Sequence, residues 1–413
     1  MSLWSPAARD AFRARITPKP APRTEVPPKA APALKPPPAQ LRQLDSFTPS
    51  GHRSKSPMPE LNPQATHTGF NKPVSVEELP PEGKKTGTAI ITLNTATGKA
   101  PSYNEKTNRA AQADLIKDSG ATIVAFQEVD VNVGRSGNRN TALDIVVGVD
   151  RDFAIFLGED SPEPVDIYAD APETAIRTGA DGTTLYQTPG GTLVTGEAFS
   201  GDDQEGGIKE DRGSDATYGN ATYVAAPDEL TEAYTVALPT HVGGTGAASA
   251  EELAALADGQ LTPEERNQLH DHNEVLRHND TSEPRAALVT RVMGPDGKER
   301  TIINVHVAAG EDNKALRDAQ LAYIAQLAAA EAKGPPPRDV VVMGDLNTST
   351  TEVQAIFGQY GLQRAVGGTS GGPDEIEDFD QVWTTAGVNT QNSAQVDTRD
   401  TSDHPHAGYT EIS

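Results

Sequence analysis

The stretch RDVVVMGDLNTSTTE, Arg338 to Glu352, constrains the fold more than any other. Four consecutive apolar residues, Val340, Val341, Val342 and Met343, read as a buried strand that runs directly into Gly344, Asp345, Leu346 and Asn347. In extended chain, residues two apart share a face, which puts the Asp345 carboxylate beside the Asn347 amide with Leu346 turned away. Similar apolar runs occur in TGTAIITLN (Thr86–Asn94), ATIVAFQEVD (Ala121–Asp130) and YGNATYVAA, which starts at Tyr218. AALVTRVM and RTIINVHVA flank GPDGKE, a Pro-Asp-Gly turn between two strands, and so read as a hairpin. Between these runs lie helical patterns. NRAAQADLIKDSG stops at Gly120, and DNKALRDAQLAYIAQLAAAEAKG sets Leu316, Ala319, Tyr323, Leu327 and Ala328 at helical spacing before Gly334. Strands, hairpins and helices in alternation predict an α/β sandwich.

Composition limits how much of the chain this sandwich uses. Only 36% of the 413 residues are hydrophobic, against 37 glycines and 32 prolines, so part of the chain does not pack. Residues 1–82, with PKPAP, VPPKAAPALKPPPAQ and MPELNP, read as a disordered, Pro-rich basic leader, and 83–413 as the folded domain. Two insertions are expected in that domain. One spans 158–217 and is rich in Gly, Asp and Glu; the other spans 243–282, with helix starts at SAEE (Ser249) and TPEE (Thr262). His270, Asp271, His272 and His278 lie in the second and read as surface residues, because neighbours two apart diverge on a helix.

No run is long enough to be a transmembrane helix, and the N-terminus lacks the apolar core of a signal peptide. The default expectations are a cytoplasmic monomer, with a non-classical export route open. The absence of cysteine excludes disulfides and thiolate metal sites. Residues 1–56 carry ten Lys or Arg against three acids, a surplus of seven, so the remainder holds −31 of a net charge of −24. An acidic body argues against a broad groove that tracks a phosphate backbone. The basic leader leaves peripheral contact with an anionic membrane open.

The strand ends share a peculiarity. LNTATG ends one strand with Asn94, AFQEVD another with Gln127 and Glu128, and INVHV sets Asn304 and His306 on one face. FDQV places Asp380 at a strand start, and SDH puts Asp403 and His404 before the last strand. Singly, each has a structural explanation, since Asn and Asp cap turns at strand ends. Together and in this order, LNTATG, AFQEVD, YGNA, INVHV with GDLN, and FDQV with SDH resemble the endonuclease/exonuclease/phosphatase superfamily, the DNase I-like metal-dependent phosphodiesterases. The resemblance runs from about Thr88 to Ile412. GDLN and SDH are its most specific parts, and Phe379 departs from the usual aliphatic residue.

The resemblance implies a four-layer sandwich of two mixed β-sheets flanked by helices, and phosphoester hydrolysis by in-line attack of water. It implies Mg2+ or Mn2+ held by Glu128 with Asn94 and Asp403. Asp345 would orient or deprotonate the water, and Asn347 would grip a phosphoryl oxygen. His404, backed by Asp380, would face the phosphate. His306 would be a candidate general acid, and Tyr218 a phosphate contact or a packing residue. Arg285 reads as a surface ion pair ahead of a phosphate contact, and His406 receives no function. Nucleic acid leads among the substrates, ahead of a phosphoinositide or sphingomyelin-type lipid and a small phosphoester. A non-catalytic binding protein on the same fold is the rival from another class, and it would be expected to lose at least one of these residues.

Overall fold

The computed structural model describes residues 73–98 (less 82, 83 and 86), 105–150 (less 137 and 138), 175–178, 183–200, 217–240, 253–255, 284–366 and 379–413, with Thr68–Gly69. All belong to the unit Asn62–Ser413. The leader assigned to 1–82 lies largely outside them, as do TPEE and the cluster His270, Asp271, His272 and His278.

Strand alternation decides the layering. The central strands of both sheets are buried on both faces, so their apolar residues divide between an outer and an inner core. In β2 (Thr88–Asn94) and β3 (Ile123–Val131), one alternating set, Ile91 and Leu93 with Val124 and Phe126, faces outward. It meets Leu115 and Ile116 of α1 (Glu105–Ser119) and Leu143 and Val146 of α2 (Thr141–Asp150). The opposite set, Ile90, Ile123 and Ala125, faces inward to Ile302, Val341 and Met343 of the second sheet. That sheet's outer set, Ile303, Val305, Val340 and Val342, takes Leu321, Ile324 and Leu327 of α3 (Lys314–Lys333) and Val353 and Phe357 of α4 (Thr350–Phe357). Three cores separate four layers, helix, sheet, sheet and helix.

The first sheet has nine strands among the described residues. Besides β2 and β3 it holds β1 (Thr68–Gly69), β4 (Ala175–Thr178), β5 (Thr183–Gln187), β6 (Gly191–Ser200), β7 (Thr217–Ala225), β14 (Thr390–Asp397) and β15 (His406–Ile412). Their order is β1-β14-β15-β2-β3-β7-β6-β5-β4. The second sheet adds β8 (Glu229–Ala237), β9 (Ala286–Met293), β10 (Glu299–His306), β11 (Asp339–Asp345), β12 (Leu362–Val366) and β13 (Asp380–Thr385), in the order β12-β13-β11-β10-β9-β8. Both sheets are mixed: β2 pairs in parallel with β3, and β10 with β11, while the pairs β3 and β7, β9 and β10, and β11 and β13 are antiparallel.

Two polar devices hold the layers in register. Between the sheets, buried Asn304 donates to the carbonyls of Phe126 (3.0 Å) and Ala221 (2.7 Å) and accepts from Gln127 Nε2 (2.7 Å). Under α3, the fully buried Glu331 accepts from Tyr234 (2.6 Å), Thr301 (2.9 Å) and Arg291 (2.9 Å). A buried carboxylate is tolerated only when so satisfied.

The sequence reading departs from the structure in several places. Val74, Val76 and Leu79, placed in the leader, are buried against the first sheet, and Val74 bridges Val396. Part of the 158–217 insertion is β5 and β6, which widen the first sheet beyond β7. Near the SAEE start, residues 253–255 are helical and Leu253 packs into the outer core of the second sheet. Among the described residues no helix is long and apolar enough to cross a membrane.

Candidate active site

Strand direction concentrates the chemistry at one edge. Because β2 and β3 are parallel, Asn94 and Gln127 end side by side, and the parallel pair β10 and β11 brings His306 level with Asp345. Antiparallel β13 starts where β11 stops, so Asp380 sits opposite Asp345. The loop entering β15, antiparallel to β2, brings His404 to the same edge. The two sheets then meet through side chains. Asn94 Nδ2 lies 3.1 Å from Glu128 Oε1, 3.1 Å from Asp345 Oδ2 and 3.3 Å from His404 Nε2. Its Oδ1 accepts from the Ala96 N–H at 2.9 Å, which fixes the amide's orientation.

Glu128 reaches this point through a bulge. The pairing of β3 with β7 shifts register between Phe126 and Val129, and Glu128 adopts φ +57°. A bulge re-aims the side chain at a cost in backbone strain. Thr95 secures it by donating from Oγ1 to the carbonyls of both Gln127 and Glu128 at 3.0 Å. Strand β3 therefore continues to Val131 and does not end in its acids.

Asn347 also departs from expectation. The strand ends at Asp345, and Asn347 turns into the left-handed region at φ +47°, so the shared extended face does not apply. Its backbone N–H donates to Asp345 Oδ1 (2.9 Å) and its Nδ2 to the Val307 carbonyl (3.0 Å). The turn still sets acid and amide together, through a local side chain-to-backbone bond.

His404 is held by its ring. Nδ1 donates to Asp380 Oδ2 at 2.5 Å, and Nε2 lies 3.5 Å from Asp345 Oδ2. Burial acts to lower its pKa, but the carboxylates of Asp380, Asp345 and Asp403 outweigh burial and raise it to about 10. The Asp345 carboxyl is raised as well. Burial, reinforced by Asp380 and Glu128, outweighs the pull of His404 and raises it to about 7. Glu128 is raised by burial and by the nearby Asp403 charge, against its bond from Asn94.

His306 behaves differently from His404. Burial, then the charges of Arg285 and His404, hold its pKa well below the ordinary imidazole value. Its 3.3 Å approach to Asp345 Oδ2 is thus a contact of a neutral ring and not an ion pair. Arg285, read from sequence as a surface residue, is only 6% exposed. Its backbone carbonyl accepts from Leu238 N, extending the ladder of β8 and β9 by one residue pair. Its charge acts on both Glu128 and His306.

The two carboxylates of the cluster suit a hard divalent cation, with the His306 imidazole a softer donor beside them. Glu128, His306 and Asp345 each offer a ligand atom, all within 4.8 Å of one another, and both acids are crowded with other carboxylates in a buried setting. Asp380 Oδ1 is also buried without a hydrogen-bond partner. This cluster draws in His306 and Asp345, which sequence reasoning had assigned to proton transfer. Asp403 is exposed and acts on Glu128 through its charge. Tyr218 is buried opposite Asp130 in the ladder, with the Arg135 guanidinium 5.6 Å from its ring centre. Arg135 itself is fixed by two bonds to Asp130 (2.7 and 2.8 Å). Sequence reasoning missed Arg135, whose only signal was its place seven residues beyond Glu128.

Among solved structures, the chain is similar to the human Nocturnin catalytic domain with bound sulfate anion, at 12% identity and a TM-score of 0.44, covering 81% of this chain and 99% of that one. It is also similar to an endonuclease/exonuclease/phosphatase from Beutenbergia cavernae, at 14% identity and a TM-score of 0.46, covering 79% and 71%. A humanized D. rerio TDP2 matches at 14% identity and a TM-score of 0.41, covering 79% and 98%. No curated protein matches the sequence. The model of the endonuclease/exonuclease/phosphatase family matches residues 91–404, from within β2 to the loop before β15, and the chain belongs to that family.

Proposed function

We propose that this protein is a divalent-metal-dependent phosphodiesterase, with nucleic acid as its leading substrate. One observation carries the reading: Asn94 of one sheet lies within 3.3 Å of Glu128, Asp345 and His404, with His404 backed by Asp380 at 2.5 Å. A structural role would not need two buried acids, a half-buried third and a charged ring at one point, since each costs desolvation energy.

Glu128, with His306 and Asp345 beside it, would hold the Mg2+ or Mn2+, which when bound polarises the phosphoryl oxygen and stabilises its developing charge. Asp345, its Oδ1 held by the Asn347 N–H and its Oδ2 turned to Asn94, His306 and His404, is oriented to accept a proton from the attacking water. Asn347, anchored to the Val307 carbonyl, keeps the Asp345 carboxylate oriented through its own backbone N–H. His404 stays protonated through neutral pH and presents Nε2–H to the phosphoryl group. Asp380 fixes that ring and its charge. Neutral His306 is a poor proton donor, which moves the general-acid role expected of it to His404. Arg285 supplies a buried positive field for the substrate's negative charge.

The test is hydrolysis of supercoiled plasmid by the purified protein with Mg2+, with chelator, and for His404→Ala. Nicking only with metal and only by the unsubstituted protein supports the proposal. Intact plasmid throughout removes the nucleic-acid reading, and phosphoinositide and sphingomyelin then decide whether the lipid alternative stands. Silence on all three substrates leaves the non-catalytic binding protein.

A further inference from the structure

We infer that Gln112, outside the active-site edge, is a positioning residue that locks the two loops carrying Asn94 and His404 to each other. The inference rests on the phosphodiesterase reading for its kinetic consequence and on geometry alone for the lock itself.

Gln112 lies in α1, fully buried. Its Nε2 donates to two backbone carbonyls from opposite ends of the chain, Thr95 O at 3.0 Å and Thr401 O at 2.8 Å. Thr95 follows Asn94 directly and also bonds the carbonyls of Gln127 and Glu128. Thr401 lies in the turn that delivers Asp403 and His404, closed by Thr401 N to Thr398 O (3.0 Å) and Thr398 Oγ1 to His404 O (2.8 Å). One amide thus completes a circuit from the Glu128 bulge through the Asn94 loop to the His404 loop.

Both loops need an external hold. Ala96 and Thr97 in the first, and Arg399 and Asp400 in the second, adopt φ between +48° and +58°. Non-glycine residues persist there only when their surroundings over-determine the conformation. The amide is present for its donors, because its Oε1 is buried without a hydrogen-bond partner. An apolar side chain would avoid that loss if packing were the only requirement. Rotating the amide by 180° would set Oε1 against two carbonyl oxygens, so the orientation is fixed.

The experiment compares the full chain with Gln112→Met, which keeps the shape and removes the donors, and Gln112→Glu, which replaces donors with acceptors. Amide hydrogen exchange is followed residue by residue, and turnover of bis(p-nitrophenyl) phosphate is measured with Mg2+. Both variants are expected to speed exchange at Gly98 and at Thr401, while the strands β2, β3, β10 and β11 keep their protection. The kcat of Gln112→Met should fall about tenfold or more with KM changed less than about twofold, as for a group lost only from the reacting arrangement. Exchange faster at one loop alone, or faster throughout the domain, overturns the lock, as does wild-type turnover by Gln112→Met. If the unsubstituted protein hydrolyses no phosphodiester, the functional reading fails, and the exchange measurement still decides Gln112.

Discussion

Replacing Asn304 with Asp tests the link between the sheets without changing side-chain size. Asn304 Nδ2 donates to the carbonyls of Phe126 and Ala221, and its Oδ1 accepts from Gln127. In N304D the Gln127 bond survives, but two carbonyl oxygens face a carboxyl group. Protonated, that carboxyl satisfies one of them; ionised, it repels both. A fully buried carboxyl in this setting titrates roughly two to three pH units above its ordinary value. The corresponding loss of stability is about 3–4 kcal/mol, a large share of a typical domain's total. The sign follows from a raised folded pKa. Below about pH 4 the group is protonated folded and unfolded, and no ionisation penalty exists. Above it the unfolded chain ionises first, and stability falls until the folded carboxyl also ionises near pH 6–7. Urea unfolding of N304D and the parent at pH 5 and pH 8 measures this. The variant should lie about 2–4 kcal/mol below the parent at pH 5 and drop by about 1–3 kcal/mol more at pH 8. An equal deficit at both pH values, or less than about 1 kcal/mol at pH 8, would refute the assignment of Asn304 as a donor to both carbonyls.

Three further outcomes follow from other parts of the structure. Gly344 has φ +140° and an added Cβ would lie 2.0 Å from the Val305 carbonyl oxygen, so Gly344→Ala must spread β10 from β11; urea unfolding should register a loss of about 2–3 kcal/mol, and phosphodiester turnover should fall with the displacement of Asp345. Glu331→Leu removes the buried carboxylate that pairs with the Arg291 guanidinium and accepts from Tyr234 and Thr301, and should cost about 3 kcal/mol in urea unfolding, with the site's pH profile unchanged. In Asp380→Asn the charge that does most to hold up the His404 pKa is gone. If protonated His404 is required, kcat should fall about 100-fold, and the alkaline limb of the pH–rate profile should move from about 10 toward the ordinary value of 6.5; an unmoved limb would take His404 out of that role.

The chemistry was easier to read than its supports. Asn94, Glu128, Asp345, Asp380 and His404 all adjoin apolar runs; parallel pairing gathers the ends of β2 and β3 and of β10 and β11, and antiparallel β13 and β15 return Asp380 and His404 to the same edge. The helix α2, TALDIVVGVD, escaped because β-branched residues run through it. Burial on the first sheet, with Asn140 Oδ1 capping Leu143 N at 3.0 Å, overrides that local preference. Strand β8 escaped because Glu229, Thr231 and Glu232 mask its alternation, and a bulge between Leu230 and Glu232 breaks the period. Arg285 was misread because a lone arginine before a strand carries no sign of which layer will cover it.

Backbone conformation was the part no pattern could disclose, and it is where the site is built. The non-glycine residues with positive φ among those described include Ala96, Thr97, Glu128, Asn347, Arg399 and Asp400, all in segments that carry or adjoin the site. Asn347 tolerates such a conformation readily, but glutamate, threonine and alanine do not advertise it. Each is held by bonds from elsewhere: Thr95 on Glu128, Val307 on Asn347, and Gln112 on the turns containing Ala96 and Arg399. Because a bulge or left-handed turn re-aims a side chain in a way regular strand does not, these residues decide that Glu128 and Asp345 converge on Asn94. The strain is concentrated where the carboxylates converge, and its removal by relaxing any one support should loosen the site before it unfolds the sheets.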